Sequence, residues 1–222
     1  MTFEEKIREI TQNYNLSNFL KAESLAKNLL ARTAKDYQLC NIYGLILFEL
    51  NKIEGAMSYF QKSINIKEDF FDAHFNLFRL LYNLKKYDEA IIQSKECLKL
   101  NSKSKATLLL LGNLYNNLNQ EKESEKNFRG ILKINSEDSD AHYSLGNLYK
   151  KKTDYEKAID SYKLAIKFNK NYFAAYNNLG TLYQEIGRFD LAILNFKSAI
   201  EVNPKFSEVY QNYLFCLNFS KY

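Results

Sequence analysis

The segment LGNLY spans Leu111–Tyr115 and returns at Leu145–Tyr149, and LGTLY follows at Leu179–Tyr183, so the interval is 34 residues both times. A chain that comes back to the same residues at a fixed interval stacks one structural unit, because a unit of that length cannot bury its own apolar face. With Ser139 as position 1, the frame runs without insertion through residues 3–36, 37–70, 71–104, 105–138, 139–172 and 173–206, and a half unit fills 207–222. Position 8 is Gly44, Gly112, Gly146 and Gly180, four of the seven glycines in the chain. Position 20 is Ala22, Ala56, Ala90, Ser124, Ala158 and Ala192.

The elements inside each unit follow from breakers and spacing. One proline and seven glycines in 222 residues leave room for long helices joined by short turns. Positions 4, 7, 8 and 11 have i, i+3, i+4, i+7 spacing and carry sets such as His142, Leu145, Gly146 and Tyr149, the buried stripe of a first helix. Positions 20, 24, 27 and 28, as in Ala158, Tyr162, Ala165 and Ile166, give the stripe of a second. Gly at 8 and Ala at 20 let the two helices approach, and rings at 11 and 24 fill the space around that contact. Thr153 and Asp154 read as N-caps of a second helix, Gly187 breaks the chain at the matching place, and Asn101, Asn135, Asn169 and Asn203 recur at position 31. Each unit is therefore a helical hairpin whose open face the next unit covers.

This pattern resembles the tetratricopeptide repeat, whose unit of the same length has the LG, Y, A, F, A, P skeleton, with Pro204 the one position-32 proline kept here. The resemblance implies an all-α fold: a right-handed α-solenoid of six repeats plus a terminal helix at 207–222, forming one superhelical domain over 1–222. The unit at 3–36 is degenerate, with Lys6, Glu9 and Asn13 on its stripe, and reads as a solvated N-terminal cap. The unit at 105–138 has Glu121 at the usual aromatic position 17 and Ser124 at the usual Ala, so the loosest packing is expected there.

Catalytic chemistry finds no foothold in these residues. There is no phosphate-cradling glycine loop and no H-E-x-x-H pair. His74 and His142 share position 4, on the buried stripe, and Cys40 holds that position one unit before His74; all three read as packing residues rather than metal ligands or a nucleophilic pair. Glu121, Glu123 and Glu125 read as a solvated helix face. No catalytic residue, metal site or cofactor is expected. Cys40, Cys97 and Cys216 are odd in number and far apart, which fits reduced thiols and a cytoplasmic setting. No apolar run reaches a membrane span of roughly 20 residues, so no membrane partner is expected. A net charge of +5 is spread along the chain, and Lys150 to Lys152 form a short triplet read as solvation, so nucleic acid is not an expected partner either.

The resemblance places a concave groove on the first helices, at positions 2, 5, 6, 9, 12 and 13. In this sequence those positions include Asn41, Asn76, Arg79, Tyr82, Asn83, Asn113, Asn116, Asn117, Tyr143, Asn147, Lys150, Asn177, Asn178, Gln211 and Asn212. An amide offers a donor and an acceptor together, so such a row can grip a peptide backbone without selecting side chains. A protein or peptide partner is expected. The family's two-carboxylate clamp for chaperone tails is disfavoured, since positions 2 and 5 carry no basic residue. Asn76, Asn178 and Asn212 at position 6 resemble the Asn ladder of the protein O-GlcNAc transferase family, and Val209 to Tyr222 looks like the stretch with which those enzymes leave their repeats. That resemblance implies an alternative: the recruiting region of a glycosyltransferase without its catalytic half. Leu214, Phe215 and Phe219 make the terminal helix apolar on more than one side, and they form an expected docking edge for a second copy or a following domain.

Overall fold

Residues 2–33 and 35–219 are described by a computed structural model, and the regular structure among them consists of thirteen α-helices. They alternate in the frame of the repeat: α1 (Phe3–Asn15), α2 (Phe19–Leu30), α3 (Tyr37–Glu49), α4 (Ile53–Ile66), α5 (Phe71–Asn83), α6 (Tyr87–Leu100), α7 (Lys105–Asn117), α8 (Glu121–Ile134), α9 (Ser139–Lys151), α10 (Tyr155–Phe168), α11 (Phe173–Glu185), α12 (Phe189–Val202) and α13 (Ser207–Phe219). Each odd-numbered helix begins at position 1. Ser220 to Tyr222, the end of the expected terminal helix, lie outside the described residues.

The chain forms two compact units, Met1–Thr107 and Leu108–Tyr222. In the first, α1 with α2, α3 with α4 and α5 with α6 close as hairpins, and each second helix packs on the next first helix, α2 on α3 and α4 on α5. The second unit repeats this with hairpins α9–α10 and α11–α12, and with α8 on α9, α10 on α11 and α12 on α13. This is an all-α solenoid of helical hairpins.

The hairpin closes around positions 8 and 24. A Cβ built on Gly44 would lie 2.6 Å from the Phe60 ring, one on Gly146 2.5 Å from the Tyr162 ring, and one on Gly180 2.7 Å from the Phe196 ring; Phe128 covers Gly112 in the same way. The glycine thus admits an aromatic ring onto the helix backbone itself, while the fully buried Ala56, Ala158 and Ala192 at position 20 keep the helices close. Two units lack the glycine, and both invert the sizes. Phe78 at position 8 is matched by Ser94 at position 24, and Ile10 by Ala26, all four buried. One partner is large and the other small in every hairpin.

First helices carry a second buried stripe that the sequence reading passed over. Position 3 (Leu39, Ala73, Ala141, Ala175, Val209) and position 10 (Ile46, Leu80, Leu114, Leu148, Leu182, Cys216) are at most 1% exposed. Their i, i+7 spacing puts them on the side of the helix turned toward the preceding hairpin, where α8, α10 and α12 meet α9, α11 and α13.

The turns share one geometry with different residues. Position 15 has φ between 57° and 59° at Ser17, Asn51, Lys85, Asn119 and Thr153, and 72° at Gly187. Around it the N–H of position 16 donates to the carbonyl of position 11 and that of position 15 to position 12, as in Asp154 to Tyr149 and Thr153 to Lys150, the paired bonds of a Schellman C-cap. Thr153 is therefore not an N-cap, contrary to its sequence reading: it ends the first helix in the left-handed region. Asp154 alone caps α10, accepting the Lys157 N–H. At position 31, Asn101, Asn135, Asn169 and Asn203 each accept from the N–H two residues on, forming Asx turns.

In the unit at 105–138, Ser124 is fully buried and its hydroxyl has no partner, a defect that alanine at this position avoids elsewhere. Glu125 is not merely solvated. Its carboxylate accepts from Tyr149 Oη at 2.7 Å and Arg129 Nε at 2.8 Å, and Arg129 also donates to Tyr149 Oη at 3.0 Å, joining α8 to α9. Burial alone would raise the Glu125 pKa, but the hydrogen bonds from Arg129 and Tyr149, with the charges of Arg129 and Lys152, outweigh it and hold the carboxyl below its ordinary value.

Three substitutions test this packing through stability. Gly146→Ala gains about 0.5–1 kcal/mol of helix propensity but drives a methyl into the Tyr162 ring, which costs roughly 1–3 kcal/mol, so chemical denaturation should show net destabilisation. Gly130→Ala, whose added Cβ meets only Leu108 at 3.7 Å, should instead stabilise by about 0.5–1 kcal/mol. A depressed folded pKa means that Glu125 stabilises the fold above its unfolded value of about 4.3 and that this contribution is lost as pH falls through the folded value. The melting temperature of Glu125→Gln should therefore lie below that of the native chain near neutral pH, and the gap should close in acid. A gap independent of pH would exclude the ionised contact.

Candidate functional site

In the first unit the face of the first helices is partly closed by its own amides. Asn76 Nδ2 donates to Asn41 Oδ1 at 2.9 Å, joining α5 to α3, and Asn41 is buried. Beside them the Arg79 guanidinium lies over the Phe48 ring at 5.6 Å, and Phe75 stacks on Phe71 at 5.9 Å. Tyr82 is half-buried with its ring 6.2 Å from Tyr87, and Asn83 is exposed. Aromatic rings dominate this part of the face, and Arg79 is the cation that lies on them.

In the second unit the same register recurs with more bonds. Asn178 Nδ2 donates to Tyr143 Oη at 3.1 Å and to Asn147 Oδ1 at 2.9 Å, and Asn147 Oδ1 also accepts from Tyr162 Oη at 2.8 Å. The ring that covers Gly146 thus reaches through to fix an amide of the face, and burial raises its phenol pKa. Position 6 of one first helix donates to position 5 of the preceding one in both units. Part of the amide row is therefore a tie between helices.

Other face residues are engaged or exposed as follows. Lys150 Nζ pairs with Glu185 at 2.8 Å, Lys151 Nζ donates to the Asn116 carbonyl at 2.6 Å, and Lys152 lies 3.7 Å from Glu121, so each ammonium of the triplet has a protein partner. Asn113 and Asn212 are half-buried, and Asn117 and Gln211 exposed. Three amide oxygens, Asn116 Oδ1, Asn177 Oδ1 and Gln184 Oε1, are buried with no hydrogen-bond partner. Asn177 is the register equivalent of Asn41 and Tyr143, yet Asn212 of α13 does not supply its Oδ1 with the bond that Asn76 and Asn178 supply to theirs. Gln184 and Glu185 escaped the reading of the amide row, although positions 12 and 13 alone are enough to find them.

The candidates for chemistry sit in the core. His74 has Gln93 Oε1 on Nδ1 and the Glu68 carbonyl on Nε2, both at 2.8 Å; His142 has the Ser136 carbonyl on Nε2 at 3.0 Å and stacks on Phe168. Cys40, Cys97 and Cys216 are free and buried. Burial raises all three thiol pKa values, that of Cys97 to about 12, so the nucleophilic thiolate is disfavoured. Among the described residues no helix is long and apolar enough to cross a membrane.

The apolar edge of α13 divides in two. Phe215 and Phe219 lie 4.6 Å apart and lean on Phe189 of α12 at 6.5 and 5.7 Å. Leu214 is 57% exposed.

Tetratricopeptide-repeat family models match residues 37–70, 71–104, 106–138 and 173–206, and a TPR-repeat model matches 146–187. The boundaries at 37–70, 71–104 and 173–206 are those of the repeat frame. A stretch of 103 residues, 46% of this chain, is 33% identical to the uncharacterized protein RP472 of Rickettsia prowazekii (strain Madrid E) and covers 30% of that protein. Among solved structures, a tetratricopeptide repeat protein of Parabacteroides merdae superposes with TM-score 0.74 at 17% identity, over 96% of this chain and 98% of that one. The Cut9–Hcn1 hetero-tetramer of APC/C gives 0.73 at 19% identity, over 96% and 42%. YrrB, described as a TPR protein with an unusual peptide-binding site, gives 0.61 at 16% identity, over 84% and 96%. The hairpin frame, the position-8 glycines and the family matches agree: this chain belongs to the tetratricopeptide-repeat family.

Proposed function

We propose that this chain is a non-catalytic scaffold that binds extended peptide segments along the face of its first helices, gripping the peptide backbone rather than its side chains. Proteins built of these repeats act in protein–protein interaction, and the described peptide-binding site of YrrB, on the same fold, is in keeping with that class. The observation that carries the reading is the set of three orphaned oxygens on Asn116, Asn177 and Gln184. No protein donor among the described residues satisfies them, and a buried group left without a partner costs about 1–3 kcal/mol. A turn of the amide toward a bound N–H donor recovers that cost. Asn113, Asn117 and Gln211 add polar groups on the same face, while Asn41, Asn76, Asn147 and Asn178 hold it in shape.

The reading of Val209 to Tyr222 as a transferase junction rests on sequence likeness alone: its described part is α13, seated as the first helix of a further unit. Three unpaired, protonated thiols suit a reducing compartment such as the cytoplasm.

The test begins with display selection of extended peptides on the intact chain. Peptides so found should lose about tenfold or more in affinity when single backbone N–H groups at the engaged positions are methylated, and Asn177→Ala with Gln184→Ala should weaken binding while leaving the melting temperature unchanged or higher. Affinity that ignores N-methylation and follows peptide side chains would contradict backbone gripping.

A further inference from the structure

The terminal helix α13 is buried on one stripe and bare on the other. Val209 and Cys216, at positions 3 and 10, are fully buried against the preceding hairpin, as the matching residues are in α3, α5, α9 and α11. Tyr210 and Leu214, at positions 4 and 8, are 38% and 57% exposed. In the hairpins of this chain, positions 4 and 8 are where the second helix lies, and Cys40, His74, Phe78 and His142 there are buried. Among the described residues nothing covers α13 in that register. Its bare stripe is therefore the continuation of an interface the molecule builds six times.

The same six hairpins say what fits. Gly at position 8 receives Phe60, Phe128, Tyr162 or Phe196, whereas the bulky Ile10 and Phe78 receive Ala26 and Ser94. Leu214 belongs to the bulky class. We propose that the exposed stripe of α13 seats an amphipathic helix of a partner protein whose central contact residue is small, Ala or Ser, placed as Ala26 is opposite Ile10. A second copy of α13 is the poorer occupant, because the residues of its own stripe, Tyr210, Tyr213, Leu214 and Leu217, include no small side chain to set opposite Leu214. This surface is separate from the amide face, so the two proposals stand or fall independently.

The experiment uses the full chain and two helix-stapled, fluorescein-labelled peptides copied from its own second helices, one spanning residues 18–32 with Ala26 and one spanning 188–203 with Phe196. In fluorescence anisotropy the Ala26 peptide should bind about tenfold or more tightly than the Phe196 peptide. Leu214→Gly should reverse that order, and Leu214→Glu should abolish binding of the Ala26 peptide. Leu214 is exposed, so circular dichroism should show both variants folded. Failure of either peptide to bind, equal binding of both, or an order unmoved by Leu214→Gly would overturn the proposal. So would light scattering that shows a dimer dissolved by Leu214→Glu, since the second copy would then be the occupant.

Discussion

Everything in this molecule rests on a ring laid against bare helix backbone. At position 8 a glycine exposes the helix, and at position 24 of the facing helix a phenyl or phenol fills the place a side chain would take. That contact sets how far apart the two helices of a hairpin lie. Because cores pack near crystal density, the separation can be met by large on small or small on large but not by like on like. The units containing Phe78 with Ser94 and Ile10 with Ala26 show that the constraint acts on the pair and not on the glycine.

With the hairpin fixed, its neighbours and its exposed face follow. Positions 3 and 10 turn toward the preceding hairpin, and small or aliphatic residues there allow the next first helix to settle without a gap. Position 6 then comes within hydrogen-bond reach of position 5 on the preceding first helix, giving the Asn76–Asn41 and Asn178–Tyr143 ties. The face proposed to take a peptide is what remains once those ties are made. In the second unit that remainder contains buried amide acceptors without protein donors, the groups on which the proposed backbone grip rests.

The repeat, the hairpins and their boundaries were legible because apolar and small residues recur at helical spacing, and the thirteen helices keep that frame. Less was legible where one backbone demand is met by unlike side chains. Position 15 is left-handed in six turns, but only Gly187, Asn51 and Asn119 advertise it; Ser17, Lys85 and Thr153 adopt it because the two Schellman bonds hold them there. Phe78 and Ser94 look like separate departures until the fold sets them in one register. The amide row was visible, but composition cannot say which amides turn toward a neighbouring helix. Glu125 likewise reads as one charge among several, and only the approach of Tyr149 from α9 makes it a link.

The central claim is that size complementarity between positions 8 and 24 governs hairpin closure, and the inverted pair of α5–α6 can be transplanted to test it. In α11–α12 this means Gly180→Phe, Phe196→Ser and the two combined, each followed by urea denaturation with matched m-values. Gly180→Phe should be destabilising through overpacking and Phe196→Ser through loss of a buried ring, while the double variant should regain most of the native stability, with a coupling of about 2 kcal/mol or more. Strictly additive losses would contradict the account, since the two positions would then contribute without regard to one another.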